Sequence, residues 1–241
     1  MAADLTAVVV ALDREAAPFR QARRMRRLRV ASPCPVWADS AGTQLLVTGM
    51  GADAVRRALA WLFDPAAGLR PTRVVSAGFC GGLVPDLAVG TLLQPDEVIG
   101  PSGETLSVPV DRRIGRPDGL VSVDEAVLGT AERAALHTRT GAVAVDMESY
   151  VVVTTCQDSG VPCACLRVVS DDLRRPLPAE MAQIIHDGRV RPMALATAVL
   201  RRPRLGAELI DLAGRTRRAA GVLAGGLAAL LGDPAHPRSA V

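Results

Sequence analysis

Five short runs of small apolar residues set the limits on what this chain can fold into. They read TAVVVAL at 6–12, QLLVTGMG at 44–51, RVVSAGFCGG at 73–82, AVAVDMES at 142–149 and CACLRVVSDD at 163–172. Each is nearly continuous in apolar residues rather than alternating, which predicts strands covered on both faces. Amphipathic patterns separate them, such as DREAAPFRQARRM at 13–25 and ADAVRRALAWLF at 52–63. Strands alternating with helices predict an α/β protein: a single domain over 1–241 with a mixed, twisted central sheet flanked by helices. Residues 100–124, rich in Gly, Pro, Ser and charge, predict a loop with short strands. From 186 the texture turns to Arg, Pro and Ala, and 186–241 predicts an Arg-rich helical C-terminal extension of the same domain.

Composition removes several function classes. All 28 basic residues are Arg, and the chain contains neither Lys nor Asn. Schiff-base lysines, a Gly-Lys-Thr phosphate loop and N-glycosylation sites are therefore excluded. Aromatic residues are 2% of the chain and net charge is +3, so a base-stacking nucleic-acid platform is not expected. The five cysteines, at 34, 80, 156, 163 and 165, are odd in number and irregular in spacing, which argues against a disulfide framework. Cys163 and Cys165 would share one strand face, as reduced core thiols rather than a metal pair. His137, His186 and His236 lack metal-ligand spacing, and no metal or cofactor is predicted. The N-terminus lacks the basic region of a signal peptide, and no apolar run reaches the roughly 18 residues of a membrane span, which predicts a cytoplasmic protein.

Four strand ends carry chemistry. The first run is followed by Asp13-Arg14-Glu15, the third ends in Gly78-Phe79-Cys80-Gly81-Gly82, the fourth in Asp146-Met147-Glu148, and the fifth in Ser170-Asp171-Asp172. Taken singly, each acidic group also fits a helix cap, and each glycine a tight turn. Taken together, they predict one cleft, because open α/β sheets bind ligands outside the carboxyl ends of their strands.

In this order, the motifs resemble the purine nucleoside phosphorylase and nucleosidase superfamily, in particular methylthioadenosine/S-adenosylhomocysteine nucleosidase. The resemblance is collinear from about residue 6 to 172 and rests most specifically on VDMES and VVSD. AERAALHTRTGAVAVDMESYVV, LRVVSDDLRRPLP and the Arg/Pro-rich tail resemble the hopanoid-associated phosphorylase branch.

The resemblance implies an enzyme that cleaves an N-glycosidic bond, in that branch releasing adenine from adenosylhopane in hopanoid biosynthesis. It implies that Glu148 accepts hydrogen bonds from the ribose hydroxyls and Met147 lies against the sugar, leaving Asp146 structural. Asp171 would protonate the purine, oriented by Ser170, because adenine departs readily only as a neutral base. Glu15 would activate the attacking water. Hydrolysis and phosphorolysis both stay open. The Gly-Asp-Pro-x-Arg phosphate loop of the larger phosphorylases is missing after the first strand, whereas the amides of Gly49, Gly51, Gly81 and Gly82, with Arg14 or Arg167, offer an anion site. Phe79 stands where the nucleosidases carry a serine, either facing the water site, the purine or a lipid-like 5′ substituent, or simply packing. Implied partners are a nucleoside, phosphate as a co-substrate under phosphorolysis, and a second copy of the chain in a homodimer. The arginine clusters at 20–30 and 189–218 suit peripheral contact with an anionic membrane face, or simply a solvated surface. The alternatives are a general methylthioadenosine/S-adenosylhomocysteine nucleosidase and a non-catalytic nucleoside-binding protein.

Overall fold

The computed structural model describes residues 5–111, 113–174, 177–178, 180–181, 185–186, 189–190 and 192–232. All five apolar runs form strands. β1 (Leu5–Val10), α1 (Asp13–Ala22), β2 (Arg26–Arg27), β3 (Val36–Ala38), β4 (Thr43–Val47) and α2 (Ala52–Phe63) lead to β5 (Pro71–Gly82), the longest strand. β6 (Leu92–Leu93), β7 (Glu97–Ile99), β8 (Thr105–Ser107) and β9 (Gly119–Ser122) precede α3 (Thr130–Thr140). β10 (Ala144–Asp146), α4 (Ser149–Asp158) and β11 (Cys163–Asp171) follow, then α5 (Pro192–Arg201) and α6 (Arg204–Leu230).

These strands make one mixed sheet in the order β2-β3-β4-β1-β5-β10-β9-β7-β8, with β11 pairing β5 and β6, and a separate antiparallel pair joins Ile185–His186 to Arg189–Val190. β5 is its pivot. Along one edge it pairs in parallel with β1 as far as Ser76, then with antiparallel β10 from Gly81. Along the other edge it runs parallel to β11, with Phe79 opposite Val168 and Gly81 opposite Asp171. Between Ser76 and Gly81 the neighbouring strand is exchanged, and the sheet splits there. Such a split is where an α/β sheet offers a crevice.

Strand alternation builds the two cores. Val8 and Val10 face α1 and α6, packing with Phe19, Leu223 and Leu227, whereas Ala7 and Val9 face α2 and α4, packing with Leu59 and Val152. The sequence predicts the C-terminal region as an extension, but α6 is a full layer of the fold. Its Ala219, Leu223 and Leu227 are fully buried, and even Arg215 is buried. An Ala- and Gly-rich helix can lie close against the sheet, since little side-chain bulk holds it away. No helix of the described residues is long and apolar enough to cross a membrane. Arg191 and His236 lie outside the described residues, as do the side chains of His186 and Arg189.

Candidate functional site

The split in the sheet opens a narrow cleft lined by Glu15, Thr48, Gly78, Phe79, Glu148 and Arg167 among others. Three regions far apart in sequence therefore meet there.

Glu15 arrives from the first turn of α1. Its carboxylate folds back over the helix start and accepts the Leu12 N–H at 2.7 Å through Oε2. Its Oε1 accepts the Phe79 N–H at 2.8 Å, an amide that the split has left without a strand partner on that edge. Gly78 permits this approach, since a Cβ there would lie 3.1 Å from Oε1. Burial pushes Glu15 above the usual carboxylate range, opposed by the two amides and by the charges of Arg167 and Arg14.

Glu148 stands immediately before α4, and its Oε1 accepts the Gly51 N–H at 2.7 Å. Gly51 sits at φ 88°, a conformation that suits glycine, and precedes α2. Burial, then the nearby negative charge of Asp146, push Glu148 up to about 7, with Glu15 adding to the effect against the Gly51 amide.

Asp146 proves to be a structural hub. Its Oδ1 accepts from Ser122 Oγ at 2.6 Å, and its Oδ2 from Ser149 N at 3.0 Å, Ser149 Oγ at 2.7 Å and Arg167 Nε at 2.9 Å. Arg167 extends the network, with Nη2 on Ser76 Oγ at 2.8 Å and Nη1 on the Leu166 carbonyl at 3.1 Å. This buried pair clamps β10, β11 and β5 together below the cleft. A guanidinium so committed anchors the cleft floor instead of serving as a free anion ligand.

Asp171, Ser170 and Gly81 do not line this cleft; Gly81 lies two residues beyond Phe79 on β5, and Ser170 and Asp171 end the neighbouring β11. Ser170 Oγ donates to Asp171 Oδ1 at 2.6 Å, the arrangement expected for an oriented carboxyl group, and also to the Cys80 carbonyl at 3.3 Å. Asp171 Oδ2 accepts from Arg133 Nη2. Arg133 was not among the residues singled out from the sequence. It sits in the first turns of α3, where AERAAL reads as an ordinary amphipathic helix. Asp172 caps a turn by accepting the Arg174 N–H at 3.0 Å.

The other glycine expected in the site has its amide engaged: Gly49 donates to the Ala11 carbonyl at 3.0 Å. Met147 lies beside Glu148, half-buried and outside the cleft lining. Phe79 packs on the core face shared by α1 and α6. Cys163 and Cys165 are free thiols, Cys165 against Ser149 Oγ at 3.2 Å. Among the described residues no group of three His, Cys, Asp or Glu side chains is placed to hold a metal ion.

The raised Glu148 carries a prediction. A group that binds its proton more tightly when folded stabilises the native state fully below its unfolded value, and that stability is lost as pH rises through its folded value. Here the window runs from 4.5 to about 7. Glu148→Gln abolishes this titration, so the variant's melting temperature should gain on that of the parent as pH rises from 5 to 8. A gain of about 2 kcal/mol corresponds to roughly 4–8 °C. Melting curves at both pH values check it; a difference independent of pH would mean that Glu148 is not held in its protonated form.

The sequence model of the Phosphorylase superfamily matches residues 6–118 and 119–201. No curated protein sequence matches the chain. Among solved structures, the 5′-methylthioadenosine/S-adenosyl homocysteine nucleosidase of Helicobacter pylori is similar with a TM-score of 0.72 at 15% identity, covering 97% of this chain and 100% of that one. Futalosine hydrolase of Helicobacter pylori strain 26695 gives 0.71 at 16% identity, covering 96% and 98%. The 5′-methylthioadenosine nucleosidase of Arabidopsis thaliana gives 0.70 at 14% identity, covering 95% of each chain. At these identities the likeness establishes the fold.

Proposed function

Because the chain belongs to the Phosphorylase superfamily, we propose that it cleaves the N-glycosidic bond of an adenine nucleoside by hydrolysis, with adenosylhopane as substrate. The observation that carries this reading is the pair of carboxylates facing one cleft, buried Glu15 and half-buried Glu148, with a third, Asp171, at the end of β11 opposite Gly81 of the pivot strand.

The roles follow from the chemistry. Departure of the base leaves oxocarbenium character on the ribose, which Glu148 stabilises while accepting hydrogen bonds from the sugar hydroxyls, with Met147 against the ring. Water attacks the anomeric carbon and gives its proton to Glu15. The C–N bond breaks, its electron pair goes to the base, and Asp171 supplies the proton that makes the base neutral. The logic is that of an inverting glycosidase, an acid and a base on opposite faces of the sugar.

Three observations favour water over phosphate. The amides of Gly49 and Gly51 are engaged by Ala11 and Glu148. Arg167 is held by Asp146, Ser76 and Leu166. A carboxylate at Glu15 would repel a phosphate dianion in the same cleft.

The lipid-linked substrate is favoured by the surface of the last two helices. Leu200 of α5 and Ile210 of α6 are 83% and 77% exposed, among Arg201, Arg202, Arg204, Arg217 and Arg218. Apolar side chains framed by arginine suit the face of an anionic membrane, from which a triterpenoid nucleoside would be drawn. Peripheral location at the inner face of the cytoplasmic membrane and assembly as a homodimer belong to the same proposal.

The test is adenine release by the purified protein from adenosylhopane, from a 5′-alkyl adenosine and from 5′-methylthioadenosine, each with and without phosphate. Expected is phosphate-independent release, with kcat/KM at least ~10-fold higher for the lipophilic substrates. Strict dependence on phosphate would overturn hydrolysis. Equal or better use of 5′-methylthioadenosine would assign a general nucleosidase instead. Binding without release would make the chain a nucleoside-binding protein.

A further inference from the structure

The first turn of α1 carries three charged residues, Asp13, Arg14 and Glu15. Glu15 is buried and lines the cleft, with its carboxylate on the Leu12 and Phe79 amides. Asp13 and Arg14 are exposed. Asp13 is engaged: Arg20, two turns further along α1, donates to it through Nη1 at 2.6 Å and lies 4.5 Å from the centre of the Trp37 ring. Arg14 makes no ion pair or side-chain hydrogen bond among the described residues.

An arginine is out of place at this position. The amides at a helix start carry partial positive charge, which a cation in the first turn opposes. Asp13 and Glu15 follow that preference, and Arg14 breaks it. Breaks of a local rule concentrate where a residue serves the site rather than the fold. The group Arg14 can act on is the carboxylate one residue along.

The charges around Glu15 come from several elements. Arg167 of β11 lies across Gly78: a Cβ there would stand 3.1 Å from Glu15 Oε1 and 3.5 Å from Arg167 Nη1. Arg167 is itself paired with Asp146 at 2.9 Å, so much of its charge is already balanced. Glu148, just before α4, brings a second carboxylate to the same cleft. β1, β4 and α6 meet Ala16 and Phe19 of α1 through apolar side chains, among them Val10, Leu45 and Leu223, and Arg215 of α6 is ion-paired with Asp211 at 2.8 Å. Arg14 is therefore the cation beside Glu15 whose charge no carboxylate balances among the described residues. Burial pushes Glu15 towards its protonated form, and the charges of Arg167 and Arg14 both oppose it.

We infer that Arg14 is a positioning residue for the attacking water: its unbalanced charge at the start of α1 holds Glu15 as the carboxylate that takes the water's proton. The inference rests on the hydrolytic reading above and adds a residue to it. In the step it serves, the water oxygen bonds to the anomeric carbon, its proton passes to Glu15, and the C–N electron pair leaves with the base. Only the carboxylate form of Glu15 accepts that proton. Arg14 needs to touch neither the water nor the nucleoside. Its effect passes through space from an exposed position, so it is modest and sensitive to salt.

The test is the pH profile of kcat/KM for two ribosides with a common 5′-alkylthio group, bearing adenine and p-nitrophenolate as leaving groups. The second departs unaided, so its profile does not depend on a proton for the base. With both, the parent's rate is expected to fall on the acid side as Glu15 takes up its proton. Arg14→Gln removes a charge that favours the carboxylate, so the acid limb should move to higher pH, by roughly 0.5 of a pH unit. On the limb this is a loss of about 3-fold, shrinking as pH rises. Arg14→Glu should move the limb about twice as far, and Arg14→Lys should leave it close to the parent's. In ~1 M salt the limbs of the parent and Arg14→Gln should converge. The melting temperature of Arg14→Gln should hold or rise slightly, since the helix start loses an opposed charge. In a Glu15→Gln background, Arg14→Gln should leave the residual profile in place. A limb that stays put in both Arg14→Gln and Arg14→Glu overturns the inference and makes Arg14 a solvated surface residue. So does a shift that persists without the Glu15 carboxylate, which assigns the effect to another group. Failure of the parent to release either leaving group at any pH overturns the glycosidic reading itself, and this inference with it.

Discussion

Glu15→Gln is expected to lower phosphate-independent adenine release by about 10³-fold, within the range of a general base contribution. Glutamine keeps the size of the side chain and one carbonyl oxygen, but it cannot take a proton from water. The carboxylate is held at both oxygens, by the Leu12 amide at 2.7 Å and the Phe79 amide at 2.8 Å. The amide side chain must present an NH₂ to one of those donors, so some local cost of about 1–2 kcal/mol accompanies the loss of base. Turnover and substrate affinity must therefore be read separately, with a melting curve beside them. The expected pattern is a collapsed kcat, a Kd within a few-fold of the parent and a small fall in melting temperature. An unchanged rate would remove Glu15 from the chemistry and restore phosphate, or another base, as the source of the nucleophile. The pH dependence has a fixed sign. Burial raises Glu15, so a reaction that uses its carboxylate loses rate on the acid side sooner than an exposed glutamate would dictate.

The strands were legible because each buried run is apolar along its whole length, with no polar alternation to confuse it. Their directions were less so. β10 is antiparallel to β5 although its sequence, AVD, resembles the end of any parallel strand. The reversal follows from what the chain does after β9 and α3, over distances no local pattern encodes. The same holds for the site. Glu15 and Glu148 were readable as strand-end carboxylates, and Asp146 as their structural neighbour, because first-turn acids and strand ends leave marks in sequence. Which glycine amides stay free was not readable, since Gly49 and Gly51 are engaged by Ala11 and Glu148. Arg133 was invisible for a related reason. On a helix read alone it is one more arginine in a chain that uses arginine for every positive charge. Only the closure of the Val127 carbonyl and Gly82 around it turns a surface residue into a buried one. Arg215 makes the converse point in α6: an Arg-rich stretch does not guarantee a solvated face.

Asp171→Asn should be the more selective of the two large effects. An asparagine can accept from Arg133 through its carbonyl oxygen while its NH₂ donates to Ser170 Oγ, whose hydroxyl can turn away, so much of the buried network can persist. What it lacks is a proton that leaves with the base. Adenine release is expected to fall by ~10²- to 10⁴-fold, whereas release of p-nitrophenolate from the matching riboside should stay within ~3-fold of the parent. That contrast separates the acid from the ribose clamp, since Glu148 acts on both substrates alike. The substitution also leaves the Arg133 guanidinium facing a neutral partner in a buried position, at a cost of about 1–3 kcal/mol. The melting temperature should therefore drop even where the p-nitrophenolate rate does not. Equal losses on both substrates would mean that Asp171 holds the architecture around Gly81 and that the proton comes from elsewhere. A selective loss on adenine, together with a lower melting temperature, would assign one carboxyl group two tasks: counter-ion to Arg133 in the empty protein and proton source for the base when the cleft is filled.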